Sequence, residues 1–197
     1  MKSKSLAVIA TCVPTLLAEN AVAENLVMDD PSIQYNYSYE KLGSQHFCDL
    51  TTMIAKAPMV IKLTAAFITD DTKPKDKDVK VAYVVEAFAA GVGKNSQLET
   101  KPIKVVAGRI ISDVFNSDVH AIKNIDKDVA ASYSIPTEGS LSLFLNVVAI
   151  RGEYNLAVEL EDHSTLVVNV HPTPKILEAT EKWHKCTIAI MERREPQ

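Results

Sequence analysis

The sequence predicts an all-β fold, mainly antiparallel, arranged as a β-sandwich or in a β-barrel-like way, with one short C-terminal helix. Apolar and polar residues alternate with period two along most of the chain, as they do in strands that bury one face. Turn-forming residues interrupt these runs roughly every ten residues, which is typical of sandwiches and barrels. One segment near the C-terminus has helical periodicity instead.

The first strands are predicted as a long hairpin over 59–69 and 79–90. Apolar side chains occupy every second position from Met59 to Phe67, and the second run is rich in β-branched and aromatic residues. The charged, proline-bearing range 70–78 lies between them and is predicted as the tip of the hairpin. Further strands are predicted over 102–112, 129–135, 141–150, 154–161 and 165–170, and the polar range 113–128 is predicted as a loop.

The C-terminal helix is predicted over 175–185, where the apolar residues can share one face. Thr173 suits the N-cap of this helix, and Pro174 suits its first position. The β-branched range 187–191 that follows is predicted as a strand. Trp183, the single tryptophan, is interpreted as an anchor in the core, with a contact to a partner as the alternative.

A signal peptide that is cleaved on export is predicted for residues 1–23. Two lysines begin the chain, the range 6–18 is uncharged and largely apolar, and small residues at 21 and 23 suit a signal peptidase. The apolar run is shorter than the ~20 residues of a membrane-spanning helix. Two alternatives stay open, namely lipidation of Cys12 and an uncleaved N-terminal anchor. We therefore expect a periplasmic or secreted protein with no transmembrane anchor after cleavage.

Cleavage would leave 174 residues, from 24 to 197, which suits one domain with a sizeable core. Two lysines and Glu19 would leave with the signal peptide, so that the net charge of −4 becomes −5. A mildly acidic surface argues against nucleic acid as a partner. The range 24–45 has little apolar periodicity and is predicted as an irregular N-terminal arm, followed by a single β-sandwich-like domain over 46–197.

Two cysteines, Cys48 and Cys186, remain after residues 1–23. An even number in an exported protein predicts a disulfide bond. This bond would close a loop of about 140 residues and would stabilise the fold by at most roughly 5 kcal/mol, since a long loop costs the unfolded chain much entropy. It would tie the first strands of the domain to its last element.

The same cysteines lie in two HxC patterns, which offer a metal site as an alternative to the disulfide. On two neighbouring strands, residues two apart share a face, so His46, Cys48, His184 and Cys186 would present two imidazoles and two thiolates. Zinc and copper accept such a set. The usual C-x-x-C and H-x(3–5)-H spacings are absent from the sequence, and an oxidising compartment favours the disulfide. No cofactor is expected.

Three tyrosines alternate in the arm, at Tyr35, Tyr37 and Tyr39, and an extended chain would place them on one side. One interpretation is an edge strand, or a segment that lies over the core. The other is an arm that pairs with another subunit by strand addition.

No catalytic motif is present: the sequence lacks G-x-S-x-G and a glycine-rich phosphate loop, and its five histidines are scattered. The first functional hypothesis is therefore an exported, non-catalytic envelope protein for protein–protein interaction or assembly, whose partner is another envelope protein or a second copy. A periplasmic module that binds a small ligand or a metal through the HxC patterns is the second. An enzyme with a site assembled from dispersed residues is the third.

Overall fold

The computed structural model describes residues 25–28, 31–56, 58–74, 79–92, 98–111, 116–120, 129–134, 154–171 and 174–196. These residues form eleven strands and one helix. The strands are β1 (Asn25–Met28), β2 (Ser32–Leu42), β3 (Gln45–Lys56), β4 (Met59–Asp70), β5 (Lys80–Val92), β6 (Leu98–Ile103), β7 (Val105–Ile111), β8 (Asn116–His120), β9 (Val129–Ser134), β10 (Tyr154–Leu160) and β11 (Thr165–Val170), and the helix is α1 (Pro174–Met191). The predicted signal peptide and the predicted strand 141–150 lie outside the described residues.

The strands form two sheets in which nearly all neighbours are antiparallel, as the sequence predicts. The larger sheet has the order β2-β3-β4-β5-β6, and β9 pairs with the first half of β5 while β6 pairs with the second half. The smaller sheet has the order β1-β11-β10-β7-β8, and its parallel pair joins β1 to β11. The predicted hairpins of β4 with β5 and of β10 with β11 are both present.

The chain crosses from the larger to the smaller sheet at Lys104. The range 102–112 is predicted as one strand, but β6 ends at Ile103 and β7 begins at Val105 in the other sheet. Alternation of apolar residues continues through this point. The alternation depends on which face of a strand is buried, and it does not depend on which sheet the strand joins. The range 113–128, predicted as a loop, also contains a strand, β8.

Two different elements cover the inner face of the larger sheet. Strands β3, β4 and β5 are 12 or 13 residues long, whereas β10 and β11 have only 7 and 6 residues. Tyr154 of β10 donates a hydrogen bond to Thr52 of β3 at 3.4 Å, so the smaller sheet covers the end of the larger sheet that contains Thr52. We call this end the sheet-covered half. Trp183 of α1 contacts Cys48 and Phe67 at the other end, the helix-covered half. One buried apolar cluster includes both halves.

The helix is longer than predicted, because α1 continues through the range 187–191 that was expected to be a strand. The expectation is wrong because a helical continuation keeps the buried stripe intact: Trp183, Thr187 and Ile190 follow at spacings of four and three and are all buried. A β-branched run favours a strand locally, but packing on the larger sheet decides here. Among the described residues, no helix is both long and apolar enough to cross a membrane.

The expectation of an irregular arm over 24–45 is also wrong, because this range contains β1 and half of it is β2. Strand β2 pairs with β3 in continuous antiparallel register from Ser32 to Leu42. A two-residue turn joins the strands, and Gly43 there has a φ of 63°, which glycine adopts without steric strain. The segment is regular because every second side chain of β2 packs against the core.

Candidate functional site

The predicted disulfide is present and joins β3 to α1. The Cα atoms of Cys48 and Cys186 are 6.0 Å apart, and the two residues are separated by 138 positions. Both cysteines are buried in the apolar cluster between the helix and the larger sheet. The bond therefore fixes the C-terminal helix to the second strand of the sheet, and neither sulfur is available as a thiolate ligand.

The alternative metal site does not form from the four residues proposed for it. Because α1 is helical at 184–186, His184 and Cys186 point to different sides, and His184 is exposed while Cys186 is buried. His46 of β3 is buried and bonded to other side chains. Within the described ranges, no group of three or more histidine, cysteine or acidic residues is placed to hold a metal ion.

Trp183 is an anchor of the helix on the larger sheet and not a surface residue. Its indole Nε1 donates a hydrogen bond to the carbonyl oxygen of Cys48 at 2.8 Å. Its ring meets the edge of Phe67, with ring centroids 6.4 Å apart and planes at 89°. The side chain has no solvent exposure, as an anchor in the core requires.

His46 connects the edge strand β2 to the turn that follows β4. Its Nε2 lies 2.9 Å from Asp71 Oδ2, and its Nδ1 lies 2.9 Å from the Tyr39 hydroxyl. A carboxylate can only accept, so Nε2–H donates to Asp71, and Nδ1 shares a hydrogen bond with the Tyr39 hydroxyl. Both ring nitrogens are thus used within the protein, and the side chain is 6% exposed. This geometry joins three segments of the chain, namely β2, β3 and the turn that follows β4.

The turns beside His46 are held by carboxylates whose pKa values lie below their usual range. Hydrogen bonds from Thr72 and Ser44 lower the pKa of Asp70 to about 2. The hydrogen bond from His46 lowers the pKa of Asp71. The residues after α1 reach the same region, where Glu195 pairs with Lys41 of β2 at 3.5 Å.

The three tyrosines of β2 lie on one side of the strand, as predicted, and this side faces the core. Each is half-buried against the main cluster. The Tyr35 hydroxyl donates to the carbonyl oxygen of His171, just before α1, at 3.3 Å, and burial raises the pKa of Tyr35 to about 12. Burial also raises the pKa of Tyr37, whose hydroxyl makes no hydrogen bond to the residues that the structure describes. The tyrosines therefore attach β2 to the body of the protein.

The open edge of β2 is the feature with functional potential. Among the described strands only β3 pairs with β2, so the backbone groups along its other side have no strand partner there. The residues from Ser32 to Tyr39 include no charge and no proline. On the face away from the helix the side chains are exposed and polar: Ser32, Gln34, Asn36, Ser38 and Glu40. Such an edge can accept another extended strand by main-chain hydrogen bonding.

A shallow depression on the smaller sheet is a second surface feature, and sequence reasoning missed it. It has a volume of about 480 Å³. Small residues on β7 and β10 leave space between longer side chains, and the lining residues include Ala107, Gly108, Arg109, Ala157, Glu159 and Thr165. Small residues within two predicted strands were the available signal.

Comparisons with family models, with curated proteins and with solved structures found no match to this chain.

Proposed function

We propose that the chain is an exported, non-catalytic protein of the cell envelope, periplasmic or secreted, that binds a protein partner along the open edge of β2. In this proposal the two sheets form a sandwich, which supports the edge, and the C-terminal helix closes one end of it. The observation that carries the proposal is an eleven-residue edge strand in continuous register whose first eight residues, Ser32 to Tyr39, are uncharged.

An edge of this kind is unusual in a protein that has to remain unpaired. Natural proteins protect exposed edges with charges, prolines, bulges or very short strands, because open backbone groups promote pairing with other chains. Strand β2 has charges only near its end, at Glu40 and Lys41. Its pairing with β3 contains no bulge. The lack of such protection supports a role for this edge in pairing.

The edge is also ordered before any partner arrives. Tyr35 is fixed by its bond to His171, Tyr39 by His46, and α1 lies against β2 from the side of the core. A preordered strand loses little conformational entropy on binding, so more of the interaction energy contributes to affinity.

Export is supported by the buried disulfide, because such bonds persist in oxidising compartments and are rare in the cytosol. The intact mass of the protein from its native host, measured with and without reductant, tests this part. We expect a chain that begins at Glu24 and gains two hydrogen masses on reduction. A chain that still starts at Met1 and carries two thiols would contradict export.

The interaction itself is tested by photo-crosslinking in the host. A photoreactive amino acid replaces Asn36 on the open edge in one variant and Asn155 in another. Both asparagines are exposed on strands, but β10, which holds Asn155, is paired on both sides. We expect a protein adduct from position 36 and none from position 155. Equal adducts from both positions, or none from position 36, would refute partner binding at this edge.

A further inference from the structure

We propose that the strand accepted by the open edge of β2 is the β2 of a second copy, paired antiparallel about a two-fold axis at Asn36. This inference rests on the proposed function and names its partner. In a two-fold pair the same surface meets itself, so the strand must be complementary to its own reversed sequence.

The exposed face of β2 satisfies this condition. With Asn36 opposite its own copy, Gln34 faces Ser38 and Ser32 faces Glu40. These pairs join amides, hydroxyls and a carboxylate, all of which can hydrogen-bond to each other. No pair places two like charges in direct opposition, an arrangement that destabilises sheets.

The tyrosine face satisfies it as well. In the same register Tyr35 faces Tyr37 of the copy, and Ile33 faces Tyr39. Aromatic pairs and pairs of an aromatic with a β-branched residue are among the cross-strand contacts that stabilise antiparallel sheets. Tyr37, whose hydroxyl makes no hydrogen bond to described residues, would lie beside the copy's Tyr35.

The neighbouring register is less favourable, because its axis at Tyr37 places Lys41 opposite Ile33 and Gln34 opposite Glu40. A shift by one residue would turn the tyrosine face of one copy toward the polar face of the other. Charge and polarity therefore favour the register centred on Asn36. The two-fold axis also keeps both α1 helices on the same side of the joined sheet. Leu177, Ile188 and Met191 of α1 are exposed on that side.

Sedimentation equilibrium of the full-length processed protein, over a range of concentrations, tests the proposal. We expect a monomer–dimer equilibrium in the unmodified protein. Asn36→Lys and Asn36→Asp each place like charges face to face at the axis, and each is expected to raise the dissociation constant at least about tenfold. An equimolar mixture of the two variants places opposite charges there and should restore a dimer. Asn155→Lys, at the matched position on β10, should leave the dissociation constant unchanged.

A second pair of variants tests the register without a charge at the axis. Gln34→Asp combined with Ser38→Lys places opposite charges in contact twice and should tighten the dimer about tenfold. Gln34→Lys combined with Ser38→Lys places lysines against lysines and should dissociate it. In the register centred on Tyr37 the first combination would instead oppose the introduced aspartate to Glu40 and weaken the dimer.

A monomer at all concentrations would overturn the second-copy proposal, and so would a mixture of the two Asn36 variants that fails to recover a dimer. The photo-crosslinking experiment separates this failure from failure of the proposed function. An adduct of position 36 with a different envelope protein would leave the proposed function standing and reject the second copy. The absence of any adduct from position 36 would reject both.

Discussion

The two halves of the larger sheet's inner face are covered by different means. In the sheet-covered half, aliphatic side chains from two sheets interlock, with Leu156 and Val158 of β10 fully buried there. In the helix-covered half, one helix is held by a few specific links: the indole of Trp183, the disulfide bond, and the bond from Tyr35 to His171, three residues before the helix begins. Many aliphatic contacts therefore stabilise the sheet-covered half, whereas a few specific contacts stabilise the helix-covered half.

This difference bears on function because the helix that covers one half also lies against the open edge strand. Strand β2 pairs with β3 alone among the described strands, and α1 lies against its inner side. Loss of one helix anchor should therefore loosen both the helix and the edge. Loss of one side chain in the sheet-covered half should lower global stability without releasing the edge first.

The largest effect is expected from Trp183→Ala. The substitution leaves a cavity beside Phe67 and removes the hydrogen bond to Cys48, so the free energy of unfolding should fall by about 3–5 kcal/mol. Urea denaturation followed by circular dichroism measures it. Leu177→Ala on the same helix is the control, because Leu177 is 62% exposed and its loss should cost less than about 0.5 kcal/mol. Equal losses in the two variants would contradict the anchoring role of Trp183.

Removal of the disulfide should come next. With Cys48→Ala and Cys186→Ala combined, we expect a loss of about 2–5 kcal/mol, because the unfolded chain regains the freedom of a 138-residue loop. Amide hydrogen exchange compares the two halves directly. Exchange should accelerate in α1 and β2 more than in β10 and β11. Uniform acceleration across both halves would show that the disulfide acts on the whole fold and not on the helix-covered half.

The strands of both halves could be predicted from the sequence because each buries one face against a core. Strand β11 agrees with the predicted range 165–170 in full, and β10 within one residue. The helical course of 187–191 could not be predicted, because β-branched residues such as Thr187 and Ile190 suit a strand as well. Only contact with the larger sheet decides between the two structures.

For the site, the sequence predicted the disulfide, because two cysteines in a chain that is expected to be exported have few alternatives. It also predicted the common face of Tyr35, Tyr37 and Tyr39, since alternation fixes the face of a strand. It could not show that this face turns inward, nor that His46 binds Tyr39 and Asp71. Those bonds join β3 to two segments that only the folded sheet brings together.

A smaller effect concerns two carboxylates of the helix-covered half that respond to pH in opposite ways. Asp49 of β3 faces outward from the larger sheet, and its Oδ1 is buried without a hydrogen-bond partner among the described residues. Burial raises the pKa of Asp49 to about 6, so the folded chain binds a proton more tightly than the unfolded chain does. The charged carboxylate therefore costs stability at pH 7, and this cost disappears as the pH falls from about 6 to about 4.

Asp49→Asn should accordingly raise the free energy of unfolding by about 1–2 kcal/mol at pH 7, with little difference from the unmodified protein near pH 4. Asp71→Asn should have the opposite sign at pH 7, because the pKa of Asp71 is lowered by its bond to His46 and its stabilising charge is lost only in more acid solution. Urea denaturation at a series of pH values measures both. A gain from Asp49→Asn that is independent of pH would show that the carboxylate is not the cause.

The smallest effect separates two neighbouring tyrosines of the open edge. Tyr39→Phe removes the hydroxyl that is hydrogen-bonded to His46 Nδ1 and leaves this buried nitrogen without that partner, so we expect a loss of about 1 kcal/mol. Tyr37→Phe is the matched control in the monomer, because the Tyr37 hydroxyl makes no hydrogen bond to described residues and its removal should change stability by less than about 0.5 kcal/mol. Equal losses from both would mean that the His46 contact does not order β2. A loss confined to Tyr39→Phe, accompanied by faster amide exchange in β2, would show that the edge is held in place by the side chains of the helix-covered half.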